Sequence, residues 1–432
     1  MATSFTHPVP HLTTALSGPL LHVENLIIER QTEIESWFRR QWRATPAPFY
    51  ASVDLRNAGF KIAPVDTNLF PAGFNNLNPA FEALCIQAIQ QAIEHLGKPI
   101  DRVMIIPESH TRNMFYLENV AILQSLIEKA GFEVCLGSLI SELESARTIE
   151  LDSGAKITLN PIKRDEDIIS AGNFTPDLVL LNNDLSGGRP ALLENIQQTI
   201  LPPLALGWSS RLKSTHFGYY QQIAKEFAER FDFDPWLIDP MFRNCGEIDF
   251  MKREGNACLQ MNVGFLLEEI QKKYAEYNVD CKPFVFVKSD SGTYGMSVMT
   301  VSSIDEVSEL NRKQRTSMAT SKEGQKVTKV IMQEGVYTYE RWGDDGTVAE
   351  PVIYMIDHNV VGGFYRVHSK RAANENLNAP GMRFEPLAFD ECCISPDKAK
   401  APDAHPNRFY TYGVIGRLAL LAAARETVNL QS

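Results

Sequence analysis

The chain has 432 residues, 44% of them hydrophobic and 22% charged, with a formal net charge of −11. This is the composition of a globular protein of two or three packing units, and the acidic balance argues against nucleic acid or anionic lipid as a partner. The apolar runs, such as FVFV and VLL, are too short to cross a bilayer.

The opening stretch MATSFTHPVPHLTTALSGPLL has no basic region ahead of an apolar core, so no signal peptide is expected. Residues 22–42 read as an amphipathic helix with Leu26, Ile27, Ile34 and Trp37 on its apolar stripe. Residues 49–77 mix strand-like alternation with turn residues. A helix over 80–96 places Phe81, Leu84, Ala88, Ala92 and Leu96 on one face. DRVMIIP (101–107) reads as a buried strand, and Leu117, Val120, Leu123, Ile127 and Ala130 mark a helix that Gly131 ends. FEVCLGSL (132–139) and DLVLLNN (177–183) are further strands, and the alternation argues for a parallel α/β sheet.

A proline-rich break covers 200–208. Helices follow at about 214–230 and 263–277. From 283 to 367 the pattern is mostly strands, with a helix near 304–313, and 408–428 is helical. The segment 398–407, rich in charged, proline and small residues, is expected to be mobile. The seven cysteines form no C-x-x-C pair, so neither a disulfide framework nor a structural zinc site is expected, and a reducing cytoplasm fits. The adjacent Cys392 and Cys393 read as two unrelated small residues.

Four short segments carry chemistry. In FVFVKSDSGTYGMSVMTV (284–301) a buried-type strand runs into Lys288 and then a glycine-rich loop. A lysine is seldom buried without a partner. Ser289, Ser291, Gly292, Thr293, Tyr294 and Gly295 lie in a loop whose backbone N–H groups can converge on an anion. The lysine precedes the glycines, so this is not a Walker loop; the segment reads as two antiparallel strands joined by a phosphate-binding flap. In the strand 327–339, Gln333 and Glu334 interrupt an apolar alternation, and Glu334 offers a carboxylate to a ribose. In GGFYRVHSKRAANENLNAPG (362–381), Arg366, Lys370 and Arg371 form a cationic patch, followed by Asn374, Glu375, Asn376 and Asn378. Fixed positive charge and hydrogen-bond donors are what a transferring phosphoryl group requires. In VDTNLFPAGFNNL (65–77), Asp66 and Asn68 are two apart on a strand and face one side, as magnesium ligands would; Asp290 is a candidate third. Arg56 could hold a carboxylate bidentately.

Lysine, glycine-rich flap, Gln-Glu strand and Arg-Asn-Gly loop, in that order, resemble the ATP-grasp ligases. With VDLRNAGFKIAPVDTNLFPAGFNNL near its start, the chain as a whole resembles a small group of proteobacterial glutamate–cysteine ligases. It is also similar to eukaryotic-type glutathione synthetase. Asp66-Thr-Asn68 and Phe74-Asn-Asn-Leu77 stand where that enzyme has Glu-x-Asn and Phe-Gly-Gly-Leu, and Met332-Gln-Glu334 is similar to its Met-Glu-Lys hinge. The resemblance implies an α/β (α+β ATP-grasp) fold: a parallel α/β substrate domain plus an antiparallel ATP-grasp module with a flap, in permuted order. The expected division is a metal- and substrate-binding segment over 1–80, the substrate domain over 81–205 and the nucleotide-binding domain over 206–432.

The resemblance further implies that ATP, with magnesium or manganese, activates glutamate for attack by cysteine, giving γ-glutamylcysteine. The implied nucleotide contacts are Lys213 (with Lys225 the rival), Lys288, the flap residues, Gln333, Glu334 and Val336. Arg366, Arg371, Asn376 and Asn378 would serve catalysis, and Asp66, Asn68 and Asp290 the metal. Arg56, Lys61, Phe70, Ala72, Gly73, Phe74, Asn75 and Asn76 would hold the glutamyl group. The family's flap carries a glutamate and more glycines, whereas this loop has only Asp290. His110, His216, His358 and His368 read as structural or peripheral. Glutathione synthetase or another ATP-grasp ligase, and a non-catalytic nucleotide-binding regulator, remain alternatives. Expected partners are small molecules, in the cytoplasm, with the oligomeric state open and a homo-oligomer compatible.

Overall fold

The structure, a computed structural model, describes residues 19–109, 112–292, 297–320, 326–343, 345–386 and 408–431. His110, Thr293, Tyr294, Gly295, Cys392, Cys393 and the segment 398–407 lie outside the described residues.

Side-chain alternation along the strand Thr347–Ile356 sets the layering. Ala349, Ile353 and Met355 enter one core, while Val352, Tyr354 and Ile356 enter another. This strand is the middle of a six-stranded antiparallel sheet. The order is Arg383–Pro386, Asn359–His368, Thr347–Ile356, Tyr50–Asn57 and Ile62–Asn68, with Arg341–Trp342 attached to Thr347–Ile356. Both faces are covered, so its strands read as near-continuous apolar runs rather than clean alternation.

One face carries the C-terminal helix Arg408–Gln431, which also packs on the helix Lys213–Phe231. Val414 to Ala424 are almost wholly buried. A helix apolar all round belongs inside a protein, and each large apolar side chain buried there contributes roughly 1.5–3 kcal/mol. The other face meets the helix Glu82–Glu94, which buries Cys85, Ala88, Ile89, Ala92 and Ile93. Beyond it lies a second six-stranded sheet in the order Thr199–Leu201, Leu178–Asn182, Arg102–Pro107, Glu133–Ser138, Lys156–Pro161 and Arg147–Glu150. It is parallel except for its last pair. The helix Met114–Lys129 is capped by Asn113, whose side chain accepts from the Tyr116 N–H.

A four-stranded antiparallel sheet completes the frame, in the order Phe242–Cys245, Val330–Glu334, Val285–Ser289, Val298–Val301. The flap's flanking strands pair as expected, Lys288 opposite Val298. The strand expected over 327–339 is confined to 330–334. A Cβ on Gly335 would come within 2.2 Å of the Phe284 ring, so only glycine lets the chain leave the sheet there.

The helix expected over 22–42 is two, Pro19–Glu29 and Gln31–Ala44, meeting at the non-helical Arg30. The one expected near 304–313 is likewise two, Ile304–Ser308 and Arg312–Ala319, the second begun by a capping box of Asn311 and Gln314. Cys245 and Cys258 lie side by side, with 6.4 Å between their Cα atoms.

Candidate active site

The charged cleft follows from strand register. Glu350 lies opposite Arg366, Asp54 opposite Asp66, and Asp54 opposite Val352. Asp54, Arg56, Glu350 and Arg366 therefore share a face with Val352 and Tyr354, and that face changes from apolar to charged along its length. In the flap sheet, Phe286 is opposite Gln333, so Phe286, Lys288 and Gln333 also face one way. The two sets meet in a cleft lined by Asp54, Arg56, Asp66, Lys213, Lys288 and Arg366, with Ser289, Gly292, Glu350, Asn376 and Asn378.

Three of the four cations are bound to carboxylates. Arg366 donates to Asp54 Oδ2 at 2.8 Å and to Glu350 Oε1 at 2.6 Å. Arg56 donates from Nε to Glu350 Oε2 at 2.9 Å and reaches the carbonyls of Val336, Ala373 and Glu375. Lys213 meets Asp66 Oδ1 at 2.7 Å and lies over the Trp208 ring.

Lys288 is different. Its ammonium donates to two neutral acceptors, Gln333 Oε1 at 2.6 Å and the Val65 carbonyl at 3.0 Å. Among the described residues it has no carboxylate in direct contact. Burial, reinforced by Lys213 and Arg56 and opposed by Asp66, pushes its pKa down to about 8. Gln333 Nε2 and Arg366 Nε are buried donors with no acceptor among the described residues. An anion entering the cleft would find an uncompensated ammonium and orphaned N–H groups.

The acids are shaped by the same field. Burial raises the Asp66 carboxyl, but Lys213, Lys288 and Arg211 outweigh it and hold the group below its usual range. For Asp54 burial wins over Arg366, with Glu350 and Asp66 adding repulsion, and the carboxyl is pushed up. Burial also acts on Glu350, but Arg56 and Arg366 overcome it and hold that carboxyl down. Asp54 and Glu350 were not among the residues expected from sequence.

Other expected residues are placed elsewhere. Asp290 accepts from the Ser214 N–H and Oγ, both at 2.7 Å, and so caps the helix Lys213–Phe231 instead of lining the cleft. Asn68 accepts from the Phe70 N–H in a local turn and lies within 3.4 Å of Trp208 Nε1. Glu334, one residue from Gln333, faces the opposite side. There it binds Lys61 Nζ at 2.5 Å and accepts from Trp236 Nε1, with Lys61 over the Trp236 ring. Burial pushes Lys61 down and Glu334 up, so this is a desolvated pair away from the cleft. Val336 is buried and gives its carbonyl to Arg56. Arg371 is half-exposed and paired with Glu375. Lys225 is exposed with Glu229, so of the two rival lysines Lys213 is the one at the cleft.

Of the glutamyl segment, Phe70 and Phe74 are buried and the Phe74 N–H donates to Asn119. A Cβ on Gly73 would lie 2.5 Å from the Tyr354 hydroxyl, so the chain approaches too closely for any side chain. Ala72 packs against the second core. Asn75 Oδ1 and Asn76 Nδ2 are buried without partners among the described residues. His368 accepts from the Lys370 N–H at Nδ1, so its proton sits on Nε2, facing the Pro380 carbonyl. His216 is buried and its pKa lowered by burial.

The antiparallel sheet aims Lys288, and the helix Lys213–Phe231 aims Lys213, at a charged antiparallel face beside a parallel α/β sheet, an arrangement suited to an enzyme that binds an anionic ligand. Comparison with known proteins narrows this. The family model described as glutamate-cysteine ligase matches residues 24–427, and the chain belongs to that family. A crystal structure from Methylobacillus flagellatus KT, provisionally designated a gamma-glutamylcysteine synthetase, is 55% identical. The match covers 98% of this chain and 99% of that one, with a TM-score of 0.90. Two solved structures are distantly similar. A glutathione synthetase-like effector from Globodera pallida has 9% identity, coverage of 81% and 80%, and a TM-score of 0.38. The D-alanyl-alanine synthetase A from Vibrio cholerae has 10% identity, coverage of 74% and 80%, and a TM-score of 0.33. No curated protein matches.

Proposed function

We propose that the chain joins the γ-carboxyl of L-glutamate to the amino group of L-cysteine, cleaving ATP to ADP and phosphate. The product would be γ-glutamylcysteine, at the first step of glutathione biosynthesis. Family membership supports the ligase activity. The observation that carries the nucleotide reading is Lys288, a part-buried ammonium in the cleft held, among the described residues, by neutral acceptors only.

A carboxylate oxygen of glutamate attacks the γ-phosphorus and ADP leaves. The cysteine amine then attacks the acyl carbon, phosphate departs, and the amine gives up a proton. Lys288 and Lys213 bind phosphate oxygens, while Arg366, fixed by Asp54 and Glu350, presents its remaining N–H to the developing charge. Asn376 and Asn378 line the cleft and orient the reacting groups. The neighbouring carboxylates of Asp54 and Asp66 form an oxygen donor set that fits a hard cation. They would hold magnesium or manganese, which would supply charge neutralisation for the triphosphate. Asn75 and Asn76, with orphaned polar atoms, are the glutamyl contacts this reading favours. Exclusion of water from the cleft would protect the acyl phosphate from hydrolysis.

A cytoplasmic location fits a reaction that uses ATP. No helix among the described residues is long and apolar enough to cross a membrane. Incubation with ATP, glutamate and cysteine should yield γ-glutamylcysteine by mass. Product only from γ-glutamylcysteine and glycine would transfer the chain to the glutathione synthetase reading.

A further inference from the structure

We propose that His95, Asp357 and His358 bind a divalent transition-metal ion of the zinc class, at a site separate from the ligase cleft. His95 is the C-cap of the helix Glu82–Glu94. Asp357 and His358 form the turn between the strands Thr347–Ile356 and Asn359–His368. In that turn Asp357 has φ of 49° and its N–H donates to the Phe49 carbonyl at 2.8 Å. Glu350 lies seven residues back along the strand, so the cleft is roughly 23 Å away at the strand's rise per residue.

The Asp357 side chain is only 7% exposed, and both imidazoles converge on one of its oxygens. His95 Nδ1 is 3.0 Å from Oδ2 and His358 Nδ1 is 2.9 Å from it. Yet Oδ2 receives no hydrogen bond of acceptable geometry among the described residues. The nitrogens are near enough, but the N–H directions miss. A buried carboxylate oxygen in that state is normally satisfied by something else.

The spacing suits a metal. One ligand atom from each residue lies within 4.8 Å of the others. Tetrahedral zinc, with bonds of roughly 2.0–2.2 Å, sets its ligand atoms about 3.3 Å apart. The two N–O distances need open by only a few tenths of an ångström. Imidazole with carboxylate selects zinc-class ions, whereas magnesium prefers oxygen alone. Ring orientation is already restricted. The two imidazoles stack with centroids 6.1 Å apart, and His358 stacks on Trp42 at 6.0 Å. All three residues line a cavity of about 730 Å³, which supplies an entry path and room for a water or an added ligand in a fourth position. A bound ion would tie the helix Glu82–Glu94 to the antiparallel sheet.

Zinc titration of the full-length, chelator-stripped protein against a chromophoric chelator tests this, with nucleotide omitted. The expected result is one tight equivalent. His95→Ala should weaken it at least tenfold, and His95→Ala/His358→Ala should remove it, while Asp66→Asn keeps it. His95 is 56% exposed, so its replacement should not disturb folding. A zinc-edge anomalous difference map of crystals of the unaltered protein locates the ion independently of any variant. A peak among the three side chains supports the site. Absence of a tight equivalent, binding unchanged in the double variant, or a peak only at Asp66 would overturn it.

Discussion

Glu350 and Arg366 sit opposite each other on neighbouring antiparallel strands, and a carboxylate oxygen of Glu350 accepts a 2.6 Å hydrogen bond from Arg366. The second oxygen of Glu350 takes Arg56. One buried acid thus fixes two guanidiniums, and Asp54 holds Arg366 from the other side. Glu350→Gln removes the charge from a buried network, a change of about 3–5 kcal/mol when one partner of a buried pair is lost. We expect a drop in thermal stability together with a fall of at least tenfold in kcat. Retained kcat in the folded variant would show that Arg366 needs no such anchoring.

Lys288 gives a pH signature. Its pKa of about 8 in the unliganded protein rises when an anion binds. The affinity it contributes is therefore complete below about pH 8. It declines as pH rises from there, and is lost once pH passes the higher, bound-state pKa. Lys288→Met should weaken ATP binding about 10- to 100-fold at pH 7 and flatten the decline above pH 8. Lys225→Met, exposed on the helix surface, should do neither. Nucleotide titration by calorimetry at several pH values reads both, and an unaltered curve for Lys288→Met would remove this residue from the phosphate contact.

The acids separate by a different test. Asp54→Asn and Asp66→Asn should each weaken Mn²⁺ binding, read by electron paramagnetic resonance, by about tenfold or more. Asp290→Asn should leave Mn²⁺ affinity unchanged and lower stability by about 1 kcal/mol, because it caps a helix. Loss of Mn²⁺ binding in Asp290→Asn would return that residue to the metal.

Lys61→Met strands Glu334 without its ammonium partner in an apolar setting. A loss of about 3–5 kcal/mol in denaturant unfolding is expected. Lys61→Met/Glu334→Leu should recover most of it, since neither member then stays charged. Equal losses in single and double variants would mean that packing around Trp236, rather than the ion pair, dominates.

These residues show how far the sequence was legible. Lys288 stood out because a charge at the end of an apolar strand, before a glycine loop, has few explanations, and the hairpin pairing bears out the strand reading. Lys213 could be placed only as one of two lysines. Asp54 and Glu350 could not be read, because an acid in a strand ordinarily faces solvent. Pairing between segments 312 positions apart brings Asp54 to Arg366, while Glu350 meets Arg366 across neighbouring strands only 16 positions apart. Glu334 shows the reverse error. The chemistry of a Gln-Glu pair suggested one shared site, but a period of two sends neighbours to opposite faces, so Gln333 meets Lys288 and Glu334 meets Lys61. The break at Arg30 has no sequence signal of its own.

The central sheet also has a consequence for how the protein is made. Its strand Tyr50–Asn57 lies between Ile62–Asn68, its near neighbour in the chain, and Thr347–Ile356, translated long afterwards. At a ribosomal speed of roughly 5–20 residues per second, the first hairpin waits about 15–60 s for that neighbour to emerge. Throughout that interval the hairpin presents an unpaired edge, which is a template for pairing with another chain until residues 347–356 cover it.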